Sequence, residues 1–257
     1  MSTVLESIVE GVLEDLVARQ VPMAQLREGL AQAPTVRNAY SALAAPGMQI
    51  IAEVKRSSPS KGALAAIGDP SALALQYQGA GAAVISVLTE GRRFGGSSTD
   101  LVAVRSAIQI PVLRKDFIVT EYQVIESRVL GADLLLLIVA ALTDSQLRDF
   151  HSLAIELGMS VLVEVHDVLE LQRAIELGSK IIGVNARNLK TLKVHEEAFA
   201  ELLPLIPREV IKVAESGISQ RDQVISAQGL GAKVILVGET LVRAGDPGHA
   251  IHTLLGI

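Results

Sequence analysis

The chain has 257 residues, 49% of them apolar, with 23 Lys and Arg against 28 Asp and Glu, a net charge of −5 and a pI near 5.6. No basic cluster occurs, which argues against nucleic acid as a partner, and the lack of cysteine excludes disulfides, thiolate metal sites and a cysteine nucleophile. The longest apolar run, 134–142, is far short of the ~20 residues of a membrane helix, and Glu6, Glu10, Glu14 and Asp15 are the wrong charge for a signal or transit peptide; a cytoplasmic protein without a membrane partner is expected.

Residues 3–19 place Leu5, Ile8, Val9, Val12, Leu13, Leu16 and Val17 at helical spacing, with Thr3 and Glu6 as a capping-box pattern ahead of them. Pro22 and Pro34 bracket a second short helix. From Ile50 onward short β-branched runs alternate with amphipathic segments. Strands are expected at 50–55, 83–88, 111–115, 134–138, 161–165, 181–185, 211–215 and 234–238. Helical patterns lie between them, at 70–78, 100–107, 121–130, 145–157 and 168–177. Gly79, Gly131, Gly158, Gly178, Gly229 and Gly231 stand where those helices should stop.

Strands that are apolar on both faces and separated by helices imply a parallel sheet buried on both sides. The length fits either two small domains or one α/β barrel of ~250 residues. Eight βα units without a linker or a strong sequence repeat favour a closed (β/α)8 TIM barrel over an open sheet. Residues 1–257 are read as one domain, with 1–49 a helical extension packed on the barrel.

Several strands end in a residue that has no place in a core: Glu53 and Lys55, Lys115 and Asp116, Glu164, Asn185, and Glu215 followed by Ser216. A charge inside an apolar strand costs several kcal/mol unless it is paired or used. Strand residues two apart point the same way, and the C-terminal mouth of a barrel is where catalytic groups come from. Buried ion pairs, Glu53 with Lys55 and Lys115 with Glu164, account for any one of these but poorly for all of them, because buried charges are seldom retained for stability.

A second constellation concerns phosphate. Glu215-Ser216-Gly217-Ile218-Ser219 follows the seventh strand and Val237-Gly238-Glu239-Thr240 the eighth, where small residues let backbone N–H groups approach an anion. Taken singly, Gly217 and Gly238 read as tight turns. Lys55 and the loop Ser57-Ser58-Pro59-Ser60-Lys61-Gly62 add cations and hydroxyls.

These segments, with Leu88-Thr89-Glu90, Phe94-Gly-Gly-Ser97, Lys115-Asp116-Phe117-Ile118, Glu164-Val-His and Asn185-Ala-Arg187-Asn188-Leu189, resemble indole-3-glycerol-phosphate synthase of tryptophan biosynthesis. The resemblance runs from residue 3 essentially to the end. It implies conversion of 1-(2-carboxyphenylamino)-1-deoxyribulose 5-phosphate to indole-3-glycerol phosphate by ring closure, decarboxylation and loss of water. By the same resemblance Lys115 is the acid and Glu164 the base. Lys55 is a phosphate or carboxylate ligand and second proton donor, and Glu53 and Asn185 are orienting groups. Arg187, Glu215 and Ser216 contact substrate, Ser58, Gly217, Gly238 and Glu239 lie near its phosphate, and Phe94, Phe117 and Leu136 line a slot for its aromatic ring.

Which lysine serves which proton transfer stays open, as does the direction of their pKa shifts. Asp116 is expected to brace Lys115 or a loop. Arg92 and Arg93 either tune substrate capture or sit in solvent. The five histidines (His151, His166, His195, His249 and His252) show no metal-ligand spacing, so no metal is assigned and no cofactor is implied. The partner is a phosphorylated small molecule, and the chain is expected to be a monomer or weak homo-oligomer. The rivals are another phosphosugar barrel, phosphoribosylanthranilate isomerase, whose usual cysteine base is missing here, or a catalytically silent barrel.

Overall fold

The computed structural model describes residues 3–189, 192–195 and 197–257. Among these, the apolar runs form eight parallel strands: β1 (Gln49–Val54), β2 (Val84–Leu88), β3 (Val112–Lys115), β4 (Leu134–Ile138), β5 (Ser160–Val165), β6 (Ile181–Asn185), β7 (Ile211–Glu215) and β8 (Val234–Val237). They close in sequential order, β8 pairing back onto β1 with Ile50 opposite Ile235. Closure explains the two-sided hydrophobicity, since one face of each strand fills the barrel and the other meets a helix.

The helical frame begins with α1 (Val4–Arg19), α2 (Met23–Glu28) and α3 (Ala39–Ala44). Outer helices follow: α4 (Pro70–Gly79), α5 (Ser98–Ala107), α6 (Glu121–Val129), α7 (Asp144–Glu156), α8 (Val168–Glu176), α9 (Ala198–Leu202) and α10 (Arg221–Gly229). After β8 come two helices, α11 (Glu239–Arg243) and α12 (Pro247–Leu255). Side-chain caps start most outer helices, Asp69 on α4, Ser97 on α5, Thr120 on α6, Thr143 on α7 and Asp167 on α8, satisfying N–H groups that would otherwise be orphaned. Two expected helix stops shift: Gly79 and Gly229 are the last helical residues, and the left-handed turn falls on Gly81 and Gly231.

The capping box forms as its spacing predicts: Thr3 Oγ1 accepts the Glu6 N–H at 3.2 Å and Glu6 returns to the Thr3 N–H at 2.7 Å. The buried face of α1 is narrower than the apolar stripe. Leu5, Ile8, Val12 and Leu16 are buried, whereas Val17 is 72% exposed. Pro22 precedes α2 as expected, and α3 was not evident from the sequence.

Alternation along β3 sends neighbouring charges to opposite sides of the barrel wall. Lys115 turns into the barrel mouth. Arg114, 1% exposed, turns outward, where its guanidinium meets Asp116 Oδ2 at 3.0 Å and Glu126 Oε2 of α6 at 2.9 Å. Ser127 Oγ accepts a further bond from it at 3.0 Å, and Arg19 at the end of α1 pairs with the same Glu126. This outer network ties β3, α6 and α1 together.

Candidate active site

A cavity of about 580 Å³ opens at the C-terminal ends of the strands. Its lining includes Glu53, Lys55, Ser58, Phe94, Lys115, Phe117, Leu136, Glu164, Asn185, Arg187, Glu215, Ser216, Gly217, Gly238 and Glu239, so the residues that the resemblance gave a role border one space. Register explains the convergence: Glu164 stands opposite Ile138 and Gly183, and Asn185 opposite Glu215, at the last rungs of the ladder.

Lys115 lies at the centre of the charges. Its Nζ is 3.1 Å from Glu164 Oε2 and 3.9 Å from Glu215 Oε2, and its side chain is 15% exposed. Burial by itself disfavours the ammonium, but Glu164, Glu215 and Glu53 outweigh that cost and hold Lys115 above the ordinary lysine value. The lysine therefore keeps its proton. Burial would raise Glu164, yet Lys115, His166 and Asn185 hold it below the carboxylate range. Glu215 goes the other way. Burial and the neighbouring Glu164 push its carboxyl well above the usual value against the pull of Lys115.

The second lysine is separately paired: Lys55 Nζ is 2.8 Å from Glu53 Oε2. Ser86 Oγ donates to the other Glu53 oxygen at 3.5 Å. Asn185 Oδ1 accepts the Arg187 N–H at 2.9 Å, which fixes the amide above β6, while the Arg187 guanidinium donates to the Leu192 carbonyl at 3.0 Å. Three buried side-chain atoms on the cavity wall, Ser58 Oγ, Glu164 Oε1 and Glu215 Oε1, have no hydrogen-bond partner within the described protein. A buried polar atom left unpaired costs about 1–3 kcal/mol, and such atoms concentrated in one cavity mark it as a place for a polar ligand.

Two glycines give the carboxylates their room, a signal the sequence reading missed in one case. A Cβ on Gly183, which faces inward two residues before Asn185, would collide with Glu215 Oε1. One on Gly238 would collide with Glu53 Oε2. Past β7 the backbone turns left-handed at Ser216 (φ 67°) and again at Gly217 (φ 75°). The serine is the informative one, because a non-glycine residue held there stores strain of the kind found at ligand clamps. Across the mouth α11 begins at Glu239 with no side chain capping it. The Glu239 carboxylate itself turns to Arg243 Nε at 3.5 Å.

On the opposite wall Phe94 and Phe117 stand with ring centroids 6.1 Å apart. The loop carrying Phe94 is organised by Glu90, 4% exposed, which accepts the N–H groups of Arg92, Arg93 and Phe94 at 2.8–3.1 Å. Arg92 and Arg93 are exposed, as one of the two expectations had it, and they also make contacts there. Arg92 pairs with Glu14 and Asp15 of α1, at 2.7 Å each, and Arg93 donates to Ser7 Oγ at 2.9 Å. Together they fasten α1 over the mouth, where Ile8 joins the cavity wall.

Asp116 braces a loop and the outer network, not Lys115. It accepts the Phe117 N–H at 2.8 Å and bonds from Thr89 and Arg114. Arg243 and Lys61 also reach the cavity. Away from it, exposed His195, Glu197 and Glu201 bring side-chain ligand atoms within 4.8 Å of one another; fully solvated acidic groups of this kind commonly gather without an ion.

The profile of the indole-3-glycerol phosphate synthase family matches residues 5–254 of this chain. An indole-3-glycerol phosphate synthase from a Nocardioides species is 54% identical over 257 residues, covering 99% of both chains. That of Rhodococcus opacus is 53% identical over 255 residues, 98% of this chain and 95% of its own. Among solved structures, a 3-hexulose-6-phosphate synthase from Salmonella typhimurium superposes with a TM-score of 0.64 at 16% identity, covering 81% of this chain and 97% of that one. At that identity the superposition speaks to the barrel alone.

Proposed function

The chain belongs to the indole-3-glycerol phosphate synthase family, the carboxy-lyases of tryptophan biosynthesis, and on that premise we propose that Lys115 is the proton donor and Glu164 the base of its reaction. The observation that carries the assignment is the Lys115 ammonium, held protonated 3.1 Å from Glu164 on the wall of the cavity. No helix among the described residues is long and apolar enough to cross a membrane.

The substrate, 1-(2-carboxyphenylamino)-1-deoxyribulose 5-phosphate, sets three demands. Ring closure joins the carboxyl-bearing aromatic carbon to the ketone carbon. The carbonyl π pair moves to oxygen, which takes a proton from Lys115. Loss of CO2 returns the pair of the breaking C–C bond to the ring. Dehydration then breaks the C–O bond; the oxygen leaves as water with a proton from an ammonium, and Glu164 takes the C–H proton from the former C1. General acid and base catalysis of this kind contributes about 10²–10⁴-fold. A preorganised ammonium also stabilises the oxyanion before proton transfer is complete.

The other residues serve binding. Phe94, Phe117 and Leu136 form the apolar wall against which the anthranilate ring packs, and Arg187 and Lys55 offer cations to its carboxylate and to the phosphate. Glu53 orients Lys55, Asn185 steadies Glu164, and Glu215 makes a hydrogen bond with a substrate hydroxyl. The phosphate rests on the Ser216–Gly217 turn and the backbone N–H groups at Gly238 and Glu239, with Ser58 alongside, in the position where barrels of this architecture seat phosphate between the seventh and eighth loops. Glu239 contributes its N–H and not its carboxylate.

Incubating the purified protein with this substrate and following indole fluorescence, without added metal or cofactor, tests the reading. Product should accumulate at a rate proportional to enzyme, and silence from well-folded protein would sink it.

A further inference from the structure

His166 lies one residue past the end of β5, and nothing in the division of roles above uses it. Its ring nonetheless forms a bridge. Nδ1 is 2.9 Å from Glu170 Oε2, an oxygen that also accepts the His166 N–H at 2.8 Å. Nε2 points the other way and stops 3.3 Å from Glu164 Oε1. Neither of those two facing atoms has a hydrogen-bond partner within the described protein, and their side chains are 8% and 1% exposed. The Glu170 anchor leaves the ring only one direction, and that direction ends on the carboxylate assigned as the base.

We propose that His166 is a positioning residue, an imidazolium that holds Glu164 oriented and anionic while Lys115 leaves it to serve the substrate. The need follows from the reaction. Glu164 Oε2 has Lys115 as its partner at 3.1 Å, and the same ammonium must turn to the substrate carbonyl. Without a second cation, Glu164 would then be a buried carboxylate losing its charge partner, a change that raises its pKa and frees its rotamer. His166 remains fixed throughout, because its own anchor is on α8 and not on substrate.

The charges around it support this. Glu164 faces His166 from its own strand and Glu170 from α8; Lys115, from β3, reaches only the other Glu164 oxygen. Burial works against the imidazolium, yet Glu164 and Glu170 outweigh it and push His166 up to about 10. Pair by pair, Lys55 stands against Glu53, Lys115 against Glu164, and His166 against both Glu164 and Glu170. Removing the histidine takes one of these partners from Glu164.

The inference rests on Glu164 being the base, so the two are tested separately in one assay series. Wild-type turnover and its loss in Glu164→Gln establish the base; if Glu164→Gln stays near wild-type activity, that assignment fails and the role of His166 with it. Once the base is established, kcat is measured against pH for His166→Ala and His166→Gln. In His166→Ala, kcat should fall on the order of tenfold, with KM within about twofold of wild type and the acid limb displaced upward by about one pH unit, the size of one lost charge contact. His166→Gln, which keeps an amide donor but no charge, should recover part of kcat and retain the displaced limb. An acid limb left at its wild-type position in folded His166→Gln overturns the proposal, as does a loss carried entirely by KM. Should His166→Ala not fold, Glu170→Gln replaces it, with a smaller displacement of the limb in the same direction expected and an unmoved limb counting against the proposal.

Discussion

Two charged clusters stand back to back across β3, and their differences separate what builds this barrel from what works in it. Outside the wall, Arg114, Asp116, Glu126 and Arg19 alternate in sign, each cation on a carboxylate, with Ser127 adding a hydroxyl. Inside it, Glu164 and Glu215 share Lys115, and Glu215 leaves one oxygen without a hydrogen-bond partner among the described residues. The outer set is closed; the inner one is open toward a cavity. A bare count of ion pairs would score the two alike, and only the unpartnered atoms and opposed pKa shifts tell them apart. A buried network that is fully satisfied specifies structure, whereas one that is incomplete is a site.

Substitutions on the two sides should therefore fail in opposite ways. The largest effect is expected from Lys115→Met, which should lower kcat at least by the ~10²–10⁴-fold of general acid catalysis while the circular dichroism spectrum stays that of wild type; near-wild-type turnover would remove Lys115 from the chemistry. Arg114→Met should do the reverse. Breaking a buried pair by removing one partner costs about 3–5 kcal/mol, read by denaturant titration, while kcat of the protein that remains folded changes less than about threefold. If Arg114→Met instead spared stability and stopped turnover, the contrast drawn above would be void.

Gly183→Ala probes the inner set more finely. The new Cβ would displace the Glu215 carboxyl, and kcat should drop on the order of tenfold with a stability loss of about 1–3 kcal/mol from overpacking. The smallest expected effect lies in the pH dependence of stability. The folded His166 pKa is raised to about 10, so its contribution is fully present below the unfolded histidine value near 6.5 and is lost as pH rises through about 10. The difference in melting temperature between wild type and His166→Gln should thus be constant at mildly acidic pH and vanish by pH 10–11. A difference that persists at high pH would mean that packing, not charge, underlies it.

Much of the barrel was readable because a strand buried on both faces leaves an unbroken apolar run, as 134–138 does, and because a charge ending such a run stands out. Strand ends differ by a residue or so, as β1 shows by spanning Gln49–Val54 and leaving Lys55 just beyond. What stayed hidden depends on contacts between distant segments. Arg92 was left between substrate capture and solvent because its partners, Glu14 and Asp15, are far away in sequence. Nothing local marks Gly183, because the space beside it is filled by Glu215 from the next strand. His166 stood in the Glu164-Val-His motif without a role, since its meaning comes from Glu170 reaching back from α8. The five-residue α11 is too short to show periodicity.

The alternation at Arg114, Lys115 and Asp116 has a consequence for how the barrel assembles. A strand has period two, so a slip of β3 by one position would exchange its two faces. Lys115 would then be pressed among the outer helices, where Glu126 is already paired with Arg19. Arg114 would enter the mouth, and Asp116 would join carboxylates already in excess there. An apolar strand can slide with little penalty; this one cannot. The charges that give β3 its chemistry also act as a proofreading device, making the misregistered barrel the costliest alternative available to the folding chain.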